Sequence, residues 1–178
     1  MKRLFFALWP DAGIRRQCRH IMRQIAGPGI RPVNANNLHA TLLFLGGVDA
    51  QRQAAIDLAA DSLPIPNMEL AFDRLSFWKK PAILCLTSTN GDPGAAALAA
   101  QMAEIAVQNG VEIDQRPFQA HITLIRKAPG PVEIGFEPIV WRANAFCLVE
   151  SCSHPGGVRY QVIQRWNGTP KHAGSSEI

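Results

Sequence analysis

The sequence predicts an α+β or mixed α/β protein rather than a doubly wound parallel sheet. Three observations carry that expectation. Segments with helical periodicity alternate with short apolar runs, several neighbouring runs are joined only by Pro/Gly turns, and the chain closes on consecutive strands. The element order reads β-α-β-α-β-β-α-β-β-β.

The elements follow in order. Arg3 to Trp9 is a Leu- and Phe-rich run closed by Pro10 and reads as a strand. Asp11 caps a helix whose apolar positions Ile14, Cys18, Ile21, Met22 and Ile25 recur at three- and four-residue steps, until Gly27-Pro28-Gly29 stops it. Arg31 to Asn37 is turn-like, and Leu38 to Leu45 is a strand ended by Gly46-Gly47. Asp49 to Leu63 is Ala-rich and helical. Met68 to Trp78 and Ile83 to Thr87 are strands around a Lys79-Lys80-Pro81 turn. Asp92 caps a third helix with Pro93 at its first position, running to Asn109-Gly110. Phe118 to Arg126 is a strand. Ala143 to Ser151 and Val158 to Trp166 form a hairpin about Pro155-Gly156-Gly157, and the small polar tail 169–178 is expected to be flexible.

Composition sets the bounds. A chain of 178 residues, 47% hydrophobic and 18% charged, suits one ordinary domain or two small similar lobes. It can bury about 70% of the surface its unfolded form exposes, so no disulfide or metal is needed to hold a core. No run of 18 apolar residues marks a transmembrane helix. The start MKRLFFALWPDAGIRR imitates a signal peptide, but its apolar run ends at Pro10-Asp11 with no small-residue cleavage site, and it reads as the first buried strand. Cys18, Cys85, Cys147 and Cys152 show neither zinc spacing nor a disulfide framework and read as cytosolic thiols. A net charge of +4 and a pI near 9.1 fit an anionic substrate or partner, nucleic acid included.

One motif is repeated. His39-Ala40-Thr41-Leu42 and His121-Ile122-Thr123-Leu124 share the form H-x-T-L, 82 residues apart. With 5 His, 5 Thr and 15 Leu in the chain, one such tetrapeptide is expected about 0.01 times by chance. Residues i and i+2 of a strand share a face, so each His projects with its Thr. Two similar lobes facing one another would bring two imidazoles and two hydroxyls to one cleft. A His pair supplies a general base and a general acid near neutral pH without a metal. Threonine hydroxyls donate to non-bridging phosphate oxygens, so the set suits in-line displacement at a phosphate diester.

The stretches RLFFALWPD, NLHATLLFLG, RPFQAHITLIRK and LVESCSHPGGVRYQVIQRW resemble the 2H phosphoesterases, and they carry a similarity that covers most of residues 2–167. Within that superfamily they resemble the bacterial RNA 2′,3′-cyclic phosphodiesterases once named 2′-5′ RNA ligases. The resemblance implies a bilobal fold with pseudo-twofold symmetry over residues 1–168, in which two antiparallel sheets flank a central cleft with helices packed outside. It places His39, Thr41, His121 and Thr123 in the active site, with no metal and no cofactor. The family usually has Pro before the second His, where this chain has Ala120, which permits the same extended backbone.

The implied activity is hydrolysis of an RNA-terminal or nucleotide 2′,3′-cyclic phosphate to a 2′-phosphomonoester, by a cytoplasmic monomer with no membrane association. His121 is expected as base and His39 as acid. Three alternatives stand beside it: ligation in the reverse direction, an RNA-end-binding module with little turnover, and a related small substrate such as a cyclic phosphate on an ADP-ribose derivative. Arg126, five residues after His121, falls on the opposite side of an ideal strand, but a twist or bulge would re-aim it to a phosphate. Phe118 is the expected base-stacking residue at the cleft, with Trp78 a further candidate and Phe5 and Phe44 assigned to core packing. Arg31, Lys79, Lys80, Arg116 and Lys127 are candidates for a basic rim. His20, His154 and His172 read as surface residues. Asp11, Glu69, Glu104 and Asp114 form no cluster suited to a two-metal site.

Overall fold

The structure, a computed structural model, describes residues 1–168; the expected flexible tail lies outside the described residues. The described chain contains strands β1 (Lys2–Leu8), β2 (Arg31–Pro32), β3 (Ala40–Val48), β4 (Met68–Phe72), β5 (Arg74–Trp78), β6 (Ile83–Thr87), β7 (His121–Arg126), β8 (Ile139–Ala143), β9 (Ala145–His154) and β10 (Gly157–Asn167). Its helices are α1 (Ala12–Ile25), α2 (Ala50–Ala60) and α3 (Pro93–Gln108), with a 3₁₀ turn at Ala35–Asn37.

The helix starts are as local chemistry requires. Asp11, Asp49 and Asp92 each accept a hydrogen bond from the backbone N–H three residues on, at 2.9, 2.8 and 2.7 Å. Asp92 also accepts the Glu69 N–H at 2.9 Å, which ties the α3 start to β4. Helix α1 buries Ile14, Cys18, Ile21, Met22 and Ile25, the apolar stripe expected from spacing.

The architecture is α+β with two antiparallel sheets. The larger runs β10-β9-β1-β3-β7-β6-β5, with β2 pairing on β7, and the smaller is β4-β8. The larger sheet is two halves joined edge to edge. The first half holds β10, β9, β1 and β3, and the second holds β7, β6, β5 and β2. The join is the antiparallel pair Ala40–Ile122. Each half carries one H-x-T-L segment at the join, which is where the expected pseudo-twofold relation resides.

One face of the large sheet meets the helices. Leu4, Phe6 and Leu8 of β1, with Ala40 and Ile122, belong to the main core together with the α1 and α3 side chains. Phe5 and Ala7 point to the other face and form a small second cluster with Cys147 and Val149. Strand β1 is therefore buried on both faces, which accounts for its unbroken apolar sequence. Phe146, fully buried, stacks on Trp166 at 4.8 Å between ring centroids and meets Phe6 edge-on at 5.8 Å. Trp166 anchors that cluster by donating from Nε1 to Asp61 at 2.6 Å.

Several expectations are corrected in detail. The single strand expected over Met68–Trp78 is two, broken at Asp73, because β4 pairs with β8 while β5 joins the large sheet. Strand β8 went unread because its alternation is confined to five residues. The strand expected from Leu38 begins at Ala40, after the 3₁₀ turn, so His39 immediately precedes β3. The strand expected from Phe118 begins at His121.

Phe146→Ala removes a fully enclosed ring from the face that joins sheet and helices. Urea unfolding is expected to show a loss of about 3–5 kcal/mol with an unchanged m-value.

Candidate active site

The site is built on the join between the two halves. Ala40 and Ile122 are both fully buried on the helix side. Their sequence neighbours therefore face the opposite side. In this antiparallel register His39 falls beside Thr123 and Thr41 beside His121. The four side chains form a square about the Ala40–Ile122 pair, with the imidazoles on one diagonal and the hydroxyls on the other. All four line a cavity of about 880 Å³.

Both imidazoles are oriented alike. Nδ1 of His39 donates to the Asn37 carbonyl at 2.6 Å, and Nδ1 of His121 donates to the Gln119 carbonyl at 2.9 Å. A carbonyl only accepts, so Nδ1 carries the hydrogen in each ring. Nε2 is then bare in the neutral form. A neutral ring can take a proton, and only an imidazolium can deliver one.

The surroundings favour neutral rings in the free protein. Burial pushes the His39 pKa down to about 4, and the charges of His121 and Arg126 add to that fall. Burial also lowers the His121 pKa, with Arg126 contributing. The backbone carbonyls oppose both shifts. His39 sits among aromatic rings: Phe5 at 5.0 Å, Tyr160 at 4.9 Å edge-on and Trp9 stacked at 6.0 Å. His121 has Trp78 at 4.6 Å.

Arg126 also lines the cavity, and the reason is a bulge. Cys85 pairs with Thr123 and Leu84 with Ile125, which leaves Leu124 as an extra residue. Leu124 and Ile125 both turn to the core, and Arg126 returns to the cleft. Strand β3 does the same after its own motif. Ala7 pairs with Thr41 and Phe6 with Leu43, so Leu42 is extra and Phe44 comes back to the cleft. Phe44, expected in the core, is 59% exposed there. Phe5, also expected in the core, is buried in the second cluster.

Two residues at the site were not singled out from sequence. Tyr160, the only tyrosine of the chain, has its ring on His39, and its hydroxyl accepts from Arg126 at 3.3 Å. Asn37 clamps the β9–β10 hairpin to the loop that carries His39. Its side chain donates to the Val158 carbonyl at 2.8 Å and accepts from the Tyr160 N–H at 3.2 Å. The singular tyrosine was a readable signal; the Asn37 clamp spans 121 and 123 residues and was not.

Phe118 is not among the cavity-lining residues. It shares strand parity with buried Ala120 and Ile122, packs against the main core and borders a separate depression with Ser88, Asp92 and Ala96. Of the expected rim cations, Arg31 lies across from Arg126 in the sheet, while Arg116 is held by Asp114 at 2.8 Å through Nε. Arg31, Lys79, Lys80, Arg116 and Lys127 do not line the cavity, whereas Arg3 does. His20 pairs with Gln24 on the α1 surface, His154 is exposed, and His172 lies outside the described residues. Among the described residues, no group of three or more His, Cys, Asp or Glu side chains is placed to hold a metal ion.

The family described as LigT like Phosphoesterase matches residues 8–84. The RNA 2′,3′-cyclic phosphodiesterase of Escherichia coli (strain K12) is 34% identical over 168 residues, covering 93% of this chain and 96% of that protein. The protein of the same name from Thermus thermophilus is 28% identical, covering 96% of this chain and 92% of its own length. Crystal structures of E. coli LigT in apo form and complexed with 3′-AMP each superpose with a TM-score of 0.86, covering 95% of this chain and 98% and 99% of those chains.

The depressed His39 pKa makes a stability prediction. Unfolded, the imidazole titrates near 6.5, so between about pH 6.5 and pH 4 the unfolded chain binds the extra proton. Stability is therefore lost as pH falls through that window, by up to about 3 kcal/mol, and His39 contributes no such change above it. Urea unfolding at pH 7.5 and pH 4.5 is expected to show a drop that is smaller in His39→Gln by roughly 1–3 kcal/mol. An equal drop in both proteins would contradict this assignment.

Proposed function

The chain belongs to the LigT-like phosphoesterase family of the 2H superfamily, and on that premise we propose that it hydrolyses 2′,3′-cyclic phosphates at RNA ends or on nucleotides. The observation that carries the reading is the square of two imidazoles and two hydroxyls about Ala40–Ile122, with Arg126 beside it.

The chemistry follows from what each group can do. A 2′,3′-cyclic phosphate is an anion, and Thr41, Thr123 and Arg126 supply donors for its non-bridging oxygens. Its charge opposes the desolvation that holds the imidazoles neutral, so a proton is retained on one of them when substrate is bound. His121 takes a proton from water through Nε2. The water oxygen forms a bond to phosphorus as the bond from phosphorus to O3′ breaks. His39, as imidazolium, delivers its Nε2 proton to O3′, leaving a 2′-phosphomonoester and a free 3′-hydroxyl. Every group in this scheme comes from one chain within residues 1–168, which supports a single catalytic domain acting as a monomer. Four free thiols and an RNA substrate suit the reducing cytoplasm. Among the described residues, no helix is long and apolar enough to cross a membrane.

The direct test is incubation with 2′,3′-cyclic AMP and a short cyclic-phosphate RNA in EDTA, with chromatography against 2′- and 3′-phosphate standards. A 2′-phosphate is expected, and His39→Ala or His121→Ala is expected to lower kcat by about 10²-fold or more. No product from the intact protein would overturn the reading. The pH–rate profile is expected to be bell-shaped, its limbs belonging to the coupled pair.

The two roles separate with a substrate carrying sulfur in place of O3′, a leaving group that needs no proton. His39→Ala is expected to recover most of its lost rate on that substrate while His121→Ala does not. The opposite pattern would exchange the acid and the base.

A further inference from the structure

The hydrolytic scheme leaves one polar hydrogen of the cleft unused. Arg126 belongs to β7 in one half of the large sheet and Tyr160 to β10 in the other, yet the guanidinium Nη2 and the phenol oxygen are 3.3 Å apart. A guanidinium has only hydrogens to offer, so the phenol oxygen is the acceptor of that bond. The hydrogen of the phenol is then left over. Among the described residues nothing accepts it. The Tyr160 hydroxyl makes no second hydrogen bond, and no Asp or Glu lines the cavity that Tyr160 shares with both histidines.

We infer that the Tyr160 hydroxyl is a fourth donor to the cyclic phosphate, giving its hydrogen to the non-bridging oxygen that Arg126 also contacts. This rests on the cyclic-phosphate reading above. The donor is fixed before substrate arrives. Its ring meets His39 edge-on at 4.9 Å and Phe5 edge-on at 5.1 Å. Its backbone N–H is held by the Asn37 side chain at 3.2 Å, and the Asn37 carbonyl holds Nδ1 of His39 at 2.6 Å. One residue therefore positions both the phenol and the histidine assigned as general acid. A donor held in this way costs little reorganisation when the phosphate enters. Thr41 and Thr123 approach the phosphate from the strands of the join, and Tyr160 approaches it from the β9–β10 hairpin. The anion is thereby gripped by both halves of the sheet on the side where Arg126 lies.

The test removes the hydroxyl and keeps the ring. Tyr160→Phe is expected to lower kcat/KM on 2′,3′-cyclic AMP roughly 10-fold or more. A hydroxyl that served only to hold the guanidinium would lose its value once the guanidinium is gone. The same substitution is therefore made in Arg126→Ala, where a further loss of roughly 10-fold is expected. No further loss there, or none in the intact protein, overturns the inference. Calorimetric binding of adenosine 2′-phosphate separates it from the reading it rests on. Tyr160→Phe is expected to weaken that ligand roughly 10-fold, whether or not the protein turns over. If the intact protein releases no product but this difference is seen, the hydrolytic reading fails and the phenol donor stands. If the ligand binds both proteins alike, the donor fails whatever the activity. The midpoint of urea unfolding is expected to be the same in both proteins. A lowered midpoint with unchanged binding would make the hydroxyl a structural tie and overturn the inference.

Discussion

The site depends on a single point of contact in the sheet, the Ala40–Ile122 pair. Two antiparallel half-sheets meet there, and the geometry of that one pair determines what is near what. Antiparallel register about Ala40–Ile122 sets each histidine beside the other half's threonine. A one-residue slip on either strand would send one imidazole and one hydroxyl into the core. The register is specified by burial. Ala40 and Ile122 are fully enclosed on the helix side, and exchanging them for His or Thr would bury polar groups without partners.

From that point outward the two arms depart from ideal alternation in the same way. A bulge after each threonine turns two successive apolar residues inward and swings the next side chain back to the cleft. The bulges let a strand that is buried on its other face extend the cleft by one more position. The symmetry is in the backbone, and the asymmetry is in what each arm presents, a guanidinium on one and a phenyl ring on the other. A symmetric pair of histidines thereby acquires a direction.

The protonation chemistry rests on a second constraint. Each histidine donates Nδ1–H to the carbonyl two residues before it, so the nitrogen left free to exchange a proton is Nε2. Enclosure by rings and by Arg126 keeps the empty site neutral. In the proposed mechanism the bound cyclic phosphate is what makes an imidazolium tolerable there. Asn37 and Tyr160 tie this arrangement to the β9–β10 hairpin, Asn37 through its side chain and its carbonyl, Tyr160 through its ring and hydroxyl. The loop bearing His39 and the arm bearing Arg126 are thereby held by the same strand.

Much of this was legible from residues alone. The H-x-T-L repeat identified all four members of the square, because period-two alternation needs only a strand around the motif. The three Asp caps and the α1 stripe are local features and were read from spacing. Other features depend on partners distant in sequence. The split of Met68–Trp78 follows from which strand pairs with which, and so does the inclusion of Ile139–Ala143 in a sheet. Arg126 was read as off the cleft by ideal alternation unless a twist or bulge re-aimed it, and Phe44 was assigned to the core because it lies in an apolar run; the bulges that bring both to the cleft are visible only in the cross-strand register. Phe118 looked available at a motif flank, yet its parity sends it to the core. The sequence by itself determined the chemistry available, two imidazoles and two hydroxyls in matched strands. Tertiary structure alone decided how they pair and what stands at the two ends of the cleft, because these depend on cross-strand register between segments distant in sequence, which local periodicity does not encode.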